Sequence, residues 1–292
     1  MLVGSTKPQY RRYLWEMSIQ TNTTLDFSEM DWKELEILLR SINIKSSSLK
    51  KSHLIRRIRV RMMRTNNTTV REYQKYVRTH EDEKEALRLA FSINVTRFFR
   101  NKDTWDYLQN EILPKIIRKQ LGNPIKIWSA GCADGAEPYT IAMLCAEKKL
   151  SSDKVRIIAT DYNQKLLTTG KIGVYPKEYL IEVDENINQK YFKEHDNFRV
   201  AIDPKLQDYI DFKYYNLTSD TQKPLGIRFD LIICRNVMIY FSKEEQYKIF
   251  RNFHTALKPE GFLVIGRSEI LPQQYREEFH IYDAKHRVSL KK

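Results

Sequence analysis

The stretch "IWSAGCADGAEPYTIAML", residues 125–142, decides how the chain reads. The apolar run Ile125–Ser129 suggests a buried strand. Gly131 and Gly135 punctuate a turn, and Pro138–Lys149 reads as a helix. Strand, glycine turn and helix commonly cradle a phosphate, because free N–H groups at a helix N-terminus attract anions. Glu137, at the mouth of the helix, would repel a pyrophosphate. The G-x-G-x-x-G fingerprint is absent, with Gly131 and Gly135 four apart and no third glycine, and the P-loop lysine and hydroxyl residue are missing too. The turn therefore suits a nucleoside that carries positive charge in place of phosphate. S-adenosylmethionine, with a sulfonium and an amine, is such a ligand. The plainer reading of this stretch alone is a turn with no ligand.

Downstream, strands are expected at Val155–Thr160, Tyr209–Tyr214, Phe229–Cys234 and Phe262–Gly266, with a helix at Lys243–Leu257. "LKPEGFLVIG" reads as a helix end, a Pro-Glu-Gly turn and a buried strand. "FHIYDAKHRVSLKK" suggests closing antiparallel strands. This alternation implies an α/β fold with a mostly parallel sheet covered on both faces. Ligands of such sheets bind at the carboxyl ends of the strands. Upstream, residues 1–26 are polar and expected to be loose, residues 27–91 read as a helical domain, and residues 92–123 as a connecting segment and helix. In "SEMDWKELEILLR", Ser28 or Asp31 can cap a helix whose Trp32, Leu35, Leu38 and Leu39 share a face.

The chain has 292 residues, 41% of them apolar and 12% aromatic, enough for a sizeable core. No run of eighteen apolar residues occurs, so no stable membrane insertion is expected, and the first residues lack an apolar signal-peptide core. Three cysteines (Cys132, Cys145, Cys234) without a C-x-x-C pair suggest reduced thiols and a cytoplasmic location. The six histidines show no ligand spacing, so no metal is expected.

The net charge of +13 is concentrated. Between Arg40 and His80 twelve lysines and arginines stand against one acid, Glu72, which implies an acidic partner. On a helical wheel Lys50, Arg57, Arg61 and Arg64 share one narrow stripe, separate from Ile55, Ile58 and Met62. An ordinary solvated face would mix signs; this stripe carries no acid. Asp161, ending "VRIIATD", can accept hydrogen bonds from both hydroxyls of a ribose, or cap the helix "YNQKLLTTGK". "FDLIICRNVMIYF" brings Arg235, Asn236 and Tyr240 to a strand end, where nucleic-acid amino methyltransferases usually carry Asn/Asp-Pro-Pro-aromatic. An arginine there suits an anionic substrate.

"NVTRFFR", "IWSAGCADGAEPYTIAM", "ATDYN", "FDLIICRNVMIYFSKEEQ" and "LKPEGFLVIGRSE", in this order and spacing, resemble the chemotaxis-receptor glutamate O-methyltransferases, the CheR family, over roughly residues 28–290. The resemblance implies an S-adenosylmethionine-dependent methyltransferase domain of Rossmann-like fold. A small β subdomain at about 173–208 and a preceding all-helical domain with a basic substrate-recognition helix are implied with it. It implies transfer of a methyl group from S-adenosylmethionine to glutamates on the cytoplasmic helices of methyl-accepting receptors, leaving S-adenosylhomocysteine. It assigns Asn94, Thr96, Arg100, Gly131, Glu137, Asp161, Asn216, Leu217, Arg235 and Asn236 to the cofactor. Arg100, Arg235 and Tyr240 fall to catalysis, and Lys50, Arg57, Arg61 and Arg64 to the receptor. A monomer without nucleic acid is expected.

The chain departs from the pattern at two places. The family turn commonly reads Ser/Thr-Gly-Glu-Glu-Pro; here "ADGAEP" sets Asp134 for a hydroxyl residue and Ala136 for the first glutamate, while Glu137 is kept. "KEHDNFRV", residues 193–200, lacks the glycines of the loop that docks a receptor tethering peptide in some members. Competing readings are a nucleic-acid methyltransferase, motivated by the basic window, and a non-catalytic adaptor, motivated by the altered turn. A nicotinamide dehydrogenase lacks its fingerprint.

Overall fold

The computed structural model describes residues 27–42, 44, 46–91, 96–120, 122–219 and 225–292. The expected loose segment 1–26 lies outside them. The main sheet runs β6-β2-β1-β7-β8-β10-β9. Its strands are β1 (Ile125–Ala130), β2 (Val155–Asp161), β6 (Ile210–Tyr214), β7 (Phe229–Cys234), β8 (Leu257–Ile265), β9 (Phe279–Asp283) and β10 (Val288–Lys291). From β6 through β8 neighbouring strands are parallel, and β10 and β9 close the sheet antiparallel. β7 is buried at every position, as a central strand covered on both faces must be. Chain order reverses between β1 and β7, so a crevice opens at their carboxyl ends.

β8 differs from the expected helix end and turn. It starts at Leu257, which pairs with Phe229, while Leu231 pairs with Phe262. The surplus residues bulge out, with Glu260 at φ 54°. The Pro-Glu-Gly signal is therefore a bulge inside the strand rather than a turn before it.

Four helices stand ahead of the sheet: α1 (Glu29–Ser41), α2 (Lys51–Arg64), α3 (Val70–Thr79) and α4 (Glu81–Phe91). Reciprocal capping boxes, Ser28 with Asp31 and Thr69 with Glu72, start α1 and α3. Their common core includes Leu35, Leu38, Leu39, Leu54, Ile58, Met62, Tyr73 and Val77. The connecting helix runs as α5 (Lys102–Tyr107), a π turn at Leu108–Ile112, and α6 (Leu113–Lys119). After β1 come α7 (Ala136–Glu147), α8 (Gln164–Ile172) and α9 (Glu185–Tyr191), and α10 (Lys243–Ala256) precedes β8. A separate sheet, β3-β5-β4 (Val174–Pro176, Arg199–Ile202 and Phe192–Glu194), stands over the start of α7.

The helical cluster is joined to the sheet by backbone. Leu49 and Phe241 form an antiparallel bridge; Lys50 N–H donates to Tyr240 O at 3.0 Å, and Ser242 N–H to Ser48 O at 2.9 Å. The N-terminal end of the basic helix α2 is thereby fixed at the segment that follows β7.

Candidate active site

The crevice is built on the turn after β1. Gly131 has φ 78°, and a Cβ there would meet Val237 Cγ2 at 2.6 Å. Gly135, the N-cap of α7, has φ 96°, and a Cβ there would meet Phe212 Cζ and Tyr175 Oη at 3.0 Å. Only glycine holds these backbone angles without strain. Asp134 is buried: Tyr179 Oη donates to its Oδ2 at 2.8 Å, and Tyr175 Oη to its main-chain oxygen at 2.8 Å. Burial pushes its carboxyl up to about 6. The unusual "ADGAEP" turn is thus tied by two tyrosines to β3 and the helical turn that follows it.

Glu137 lies in the first turn of α7, where the helix dipole favours an anion. Ser129 Oγ donates to its Oε1 at 2.8 Å. Desolvation raises its carboxyl to about 7, against the pull of Arg235, Ser129 and Arg100. Asp161, 8% exposed, ends β2. Its Oδ2 accepts from Ala133 N–H at 3.0 Å and its Oδ1 from Asn163 N–H at 2.9 Å. Tyr162 N–H adds a further backbone donor, and a carboxylate with about four acceptor sites can still take another. Asn163, not Asp161, caps α8, its Oδ1 accepting from Lys165 N–H and Leu166 N–H. Asn216 Oδ1 accepts from Thr218 N–H and Oγ1, an Asx turn beyond β6 that contains buried Leu217.

Arg235 is 7% exposed, and its Nε is buried without a hydrogen-bond partner. Its Nη2 donates to Arg100 O at 2.9 Å and to Asn101 Oδ1 at 3.0 Å, and its guanidinium lies 5.0 Å from the Trp105 ring centroid. Trp105 Nε1 donates to the same Arg100 oxygen at 3.0 Å. Arg235 therefore braces the turn that carries Arg100. That turn is strained, with Phe99 and Asn101 in the left-handed region at φ 52° and 62°. Phe99 N–H is held by Thr140 Oγ1 of α7 at 3.2 Å. Thr96 is part-buried just before this turn, and Asn94 lies outside the described residues.

Glu269 is the residue that sequence reasoning missed. It is 4% exposed and accepts from the N–H groups of Asn236 (3.1 Å), Val237 (2.9 Å), Met238 (2.7 Å) and Gly266. One carboxylate thus folds the loop after β7 around itself, with Asn236 left-handed at φ 60°. The Glu in "GRSE" was the available signal, but its partners are backbone groups that any sequence supplies. Tyr240 follows in the short helical turn Met238–Tyr240. Burial raises its hydroxyl, while Arg57, Arg100 and Arg56 act the other way, so these cations lie near it.

The basic stripe is divided. Arg61 pairs bidentately with Glu83 of α4, which is buried and also accepts from Tyr73 Oη at 2.6 Å. Arg61 is a strut of the helical core, and the expectation that it reads the receptor alongside its neighbours is corrected. The stripe's apparent lack of acids came from considering one helix alone. Lys50, Arg57 and Arg64 remain on the outer side, with Arg57 part-buried toward Tyr240.

The crevice fits a cationic nucleoside. Glu137, Asp134 and Asp161 are desolvated acids gathered at the carboxyl ends of β1 and β2, and burial raises the pKa of each. A positive ligand relieves that cost. Among the described residues no cluster of His, Cys, Asp or Glu could hold a metal ion, and the three cysteines are free and buried. No helix there is long and apolar enough to cross a membrane.

Residues 33–92 match the CheR methyltransferase all-alpha domain, and residues 94–288 the CheR methyltransferase SAM binding domain. A chemotaxis protein methyltransferase of Borreliella burgdorferi is 38% identical over 186 residues, 62% of this chain and 65% of that protein. One from Listeria monocytogenes is 30% identical over 234 residues, covering 80% and 87%. Chemotaxis protein methyltransferase 1 of Pseudomonas aeruginosa is 34% identical over 199 residues, covering 64% and 71%. With the acid-lined crevice, the reversal of strand order and both matched domains in hand, the chain belongs to the CheR methyltransferase family, and its cofactor is S-adenosylmethionine.

Proposed function

We propose that the chain methylates glutamate side chains on the cytoplasmic helices of methyl-accepting chemotaxis receptors. The observation that supports this most is the docking of α2 on the loop after β7. It sets a cation-rich helix, Lys50 and Arg57 included, beside Tyr240 at the rim of the cofactor crevice. An acidic helical substrate held there brings its carboxylates to the crevice. We take residues 27–91 as the recognition domain, 92–123 as the connecting segment, and 124–292 as the catalytic domain with its β subdomain at about 173–208.

When bound, S-adenosylmethionine supplies the methyl group on its sulfonium. Glu137 answers the positive charge, Asp161 accepts from the ribose hydroxyls, and the Gly131 turn with Asn216 and Leu217 frames the adenosine. Arg100, braced by Arg235, orients the substrate carboxylate, and Tyr240 walls the site. A glutamate of ordinary pKa is already ionised at neutral pH, so no general base is required. Placement of the reactants then carries the rate, and good alignment is worth roughly 7–11 kcal/mol. The hydrogen-bonded "ADGAEP" turn, with Glu137 held at the mouth of α7, speaks for the enzyme over the non-catalytic adaptor.

The β4–β5 turn has no glycine and is closed on itself, Asp196 accepting from Phe198 N–H, Arg199 N–H and Arg199 Nε. Methylation should therefore not need a receptor's C-terminal peptide, and truncating that peptide should leave the rate unchanged. The deciding experiment incubates the chain with methyl-labelled S-adenosylmethionine and a receptor cytoplasmic fragment, then adds base. Volatile labelled methanol marks a methyl ester; base-stable label, or none, overturns the reading.

A further inference from the structure

The ring of Tyr240 packs against the helical domain. His53, in the first turn of α2, lies over its ring with centroids 4.8 Å apart and planes at 38°. On its other side His53 meets Phe91, the last residue of α4, edge-on at 6.3 Å. It is 6% exposed, and its Nε2 is buried without a hydrogen-bond partner. Burial, with Arg57, Arg56 and Lys50 nearby, lowers its pKa to about 4. At neutral pH it therefore presents an uncharged aromatic face.

We propose that His53 is a positioning residue for methyl transfer: from the recognition domain it fixes the ring of Tyr240 by face contact between Phe91 and the site. This rests on the receptor-methylation reading above. The backbone bridge at Leu49 and Phe241 fixes where Tyr240's main chain runs. It leaves the side chain free to turn, and a neutral ring packed on it removes that freedom. A charged or hydrogen-bonding group is not needed for this, and the partnerless Nε2 agrees. Misplacing a reacting group by about 1 Å costs up to roughly a hundredfold in rate, so losing the contact should appear in turnover and not in cofactor binding.

The test compares wild type, His53→Ala, His53→Phe and His53→Gln for receptor methylation, with S-adenosylhomocysteine affinity and melting temperature as controls. His53→Ala should lose about tenfold or more in kcat with cofactor affinity unchanged. His53→Phe, which keeps the face and removes the unpaired nitrogen, should restore kcat to within about threefold of wild type and melt no lower. His53→Gln should resemble His53→Ala. A His53→Phe variant that folds but is as slow as His53→Ala overturns the proposal, as does a His53→Gln variant at wild-type rate. Wild-type kcat in His53→Ala overturns it while leaving receptor methylation intact. A wild type that methylates no receptor fails the underlying reading instead, and the proposal with it.

Discussion

Two carboxylates in the crevice differ by what already surrounds them. Asp161 is held by backbone N–H groups and can still accept from ribose hydroxyls, so Asp161→Ala should weaken S-adenosylhomocysteine binding about tenfold or more, since hydrogen bonds to charged groups contribute roughly 1.5–3 kcal/mol. Calorimetry showing unchanged affinity would remove it from the site. Glu137 should couple cofactor binding to pH. Its folded pKa, about 7, lies above the ordinary glutamate value, so between about pH 4.5 and 7 the folded protein holds a proton that the unfolded chain has released. The group therefore withdraws stability as pH rises through that window. A bound cation favours the ionised form, so binding below pH 7 must expel the proton. Affinity for S-adenosylmethionine should fall by up to about tenfold per pH unit from 7 toward 5.5. Titrations near pH 6.5 in buffers of different ionisation enthalpy should register proton release, and Glu137→Gln should remove most of it, Asp134 with its carboxyl near 6 supplying the rest.

At the scale of elements, the loops around the crevice rest on two buried charges that touch mainly backbone. Glu269→Ala leaves the N–H groups of Asn236, Val237, Met238 and Gly266 without their acceptor. With roughly 1–3 kcal/mol for each buried group left unpaired, denaturant unfolding should show a loss of at least about 3 kcal/mol. Arg235→Lys keeps the charge but loses the planar guanidinium that lies over Trp105 and carries the Nη2 donating to both Arg100 O and Asn101 Oδ1. It should lower turnover about tenfold with little change in melting temperature; wild-type rate in that variant would refute the brace. How legible these elements were depended on the range of the signal. Buried strands announce themselves locally, and Phe229–Cys234 reads from its own apolar run. Glu137 was legible because a carboxylate at a helix mouth contradicts the phosphate reading. The π turn at Leu108–Ile112, the Glu269 nest and the Arg61–Glu83 pair were not, because each is decided by groups that pattern along the chain does not record. Arg61 and Glu83 lie on different helices, and nothing near either marks the other.

At the scale of the whole molecule, the charge that the sequence concentrates between Arg40 and His80 faces the chemistry because α2 is pinned at the β7 loop. Reversing Lys50 and Arg57 to glutamate should slow receptor methylation strongly while S-adenosylhomocysteine affinity holds, since the acids that meet the cofactor belong to the sheet. Added salt should bring the wild type toward the variant, as exposed charges are screened within about 8–10 Å at physiological ionic strength. Equal rates across salt would reduce the stripe to a solvated surface. Arg61 should be left out of that test, because a glutamate there would oppose Glu83 inside the helical core. The bridge between Leu49 and Phe241 also has a consequence for how the molecule is made. On the ribosome Leu49 emerges well before Phe241, an interval of about 10–40 s at roughly 5–20 residues per second. The helices can gather their own core during that time, yet the first turn of α2 has no dock until β7 has been translated. A nascent chain stalled before Phe241 already carries the positive helix for catching an acidic partner, and nothing yet to hold that helix to an active site.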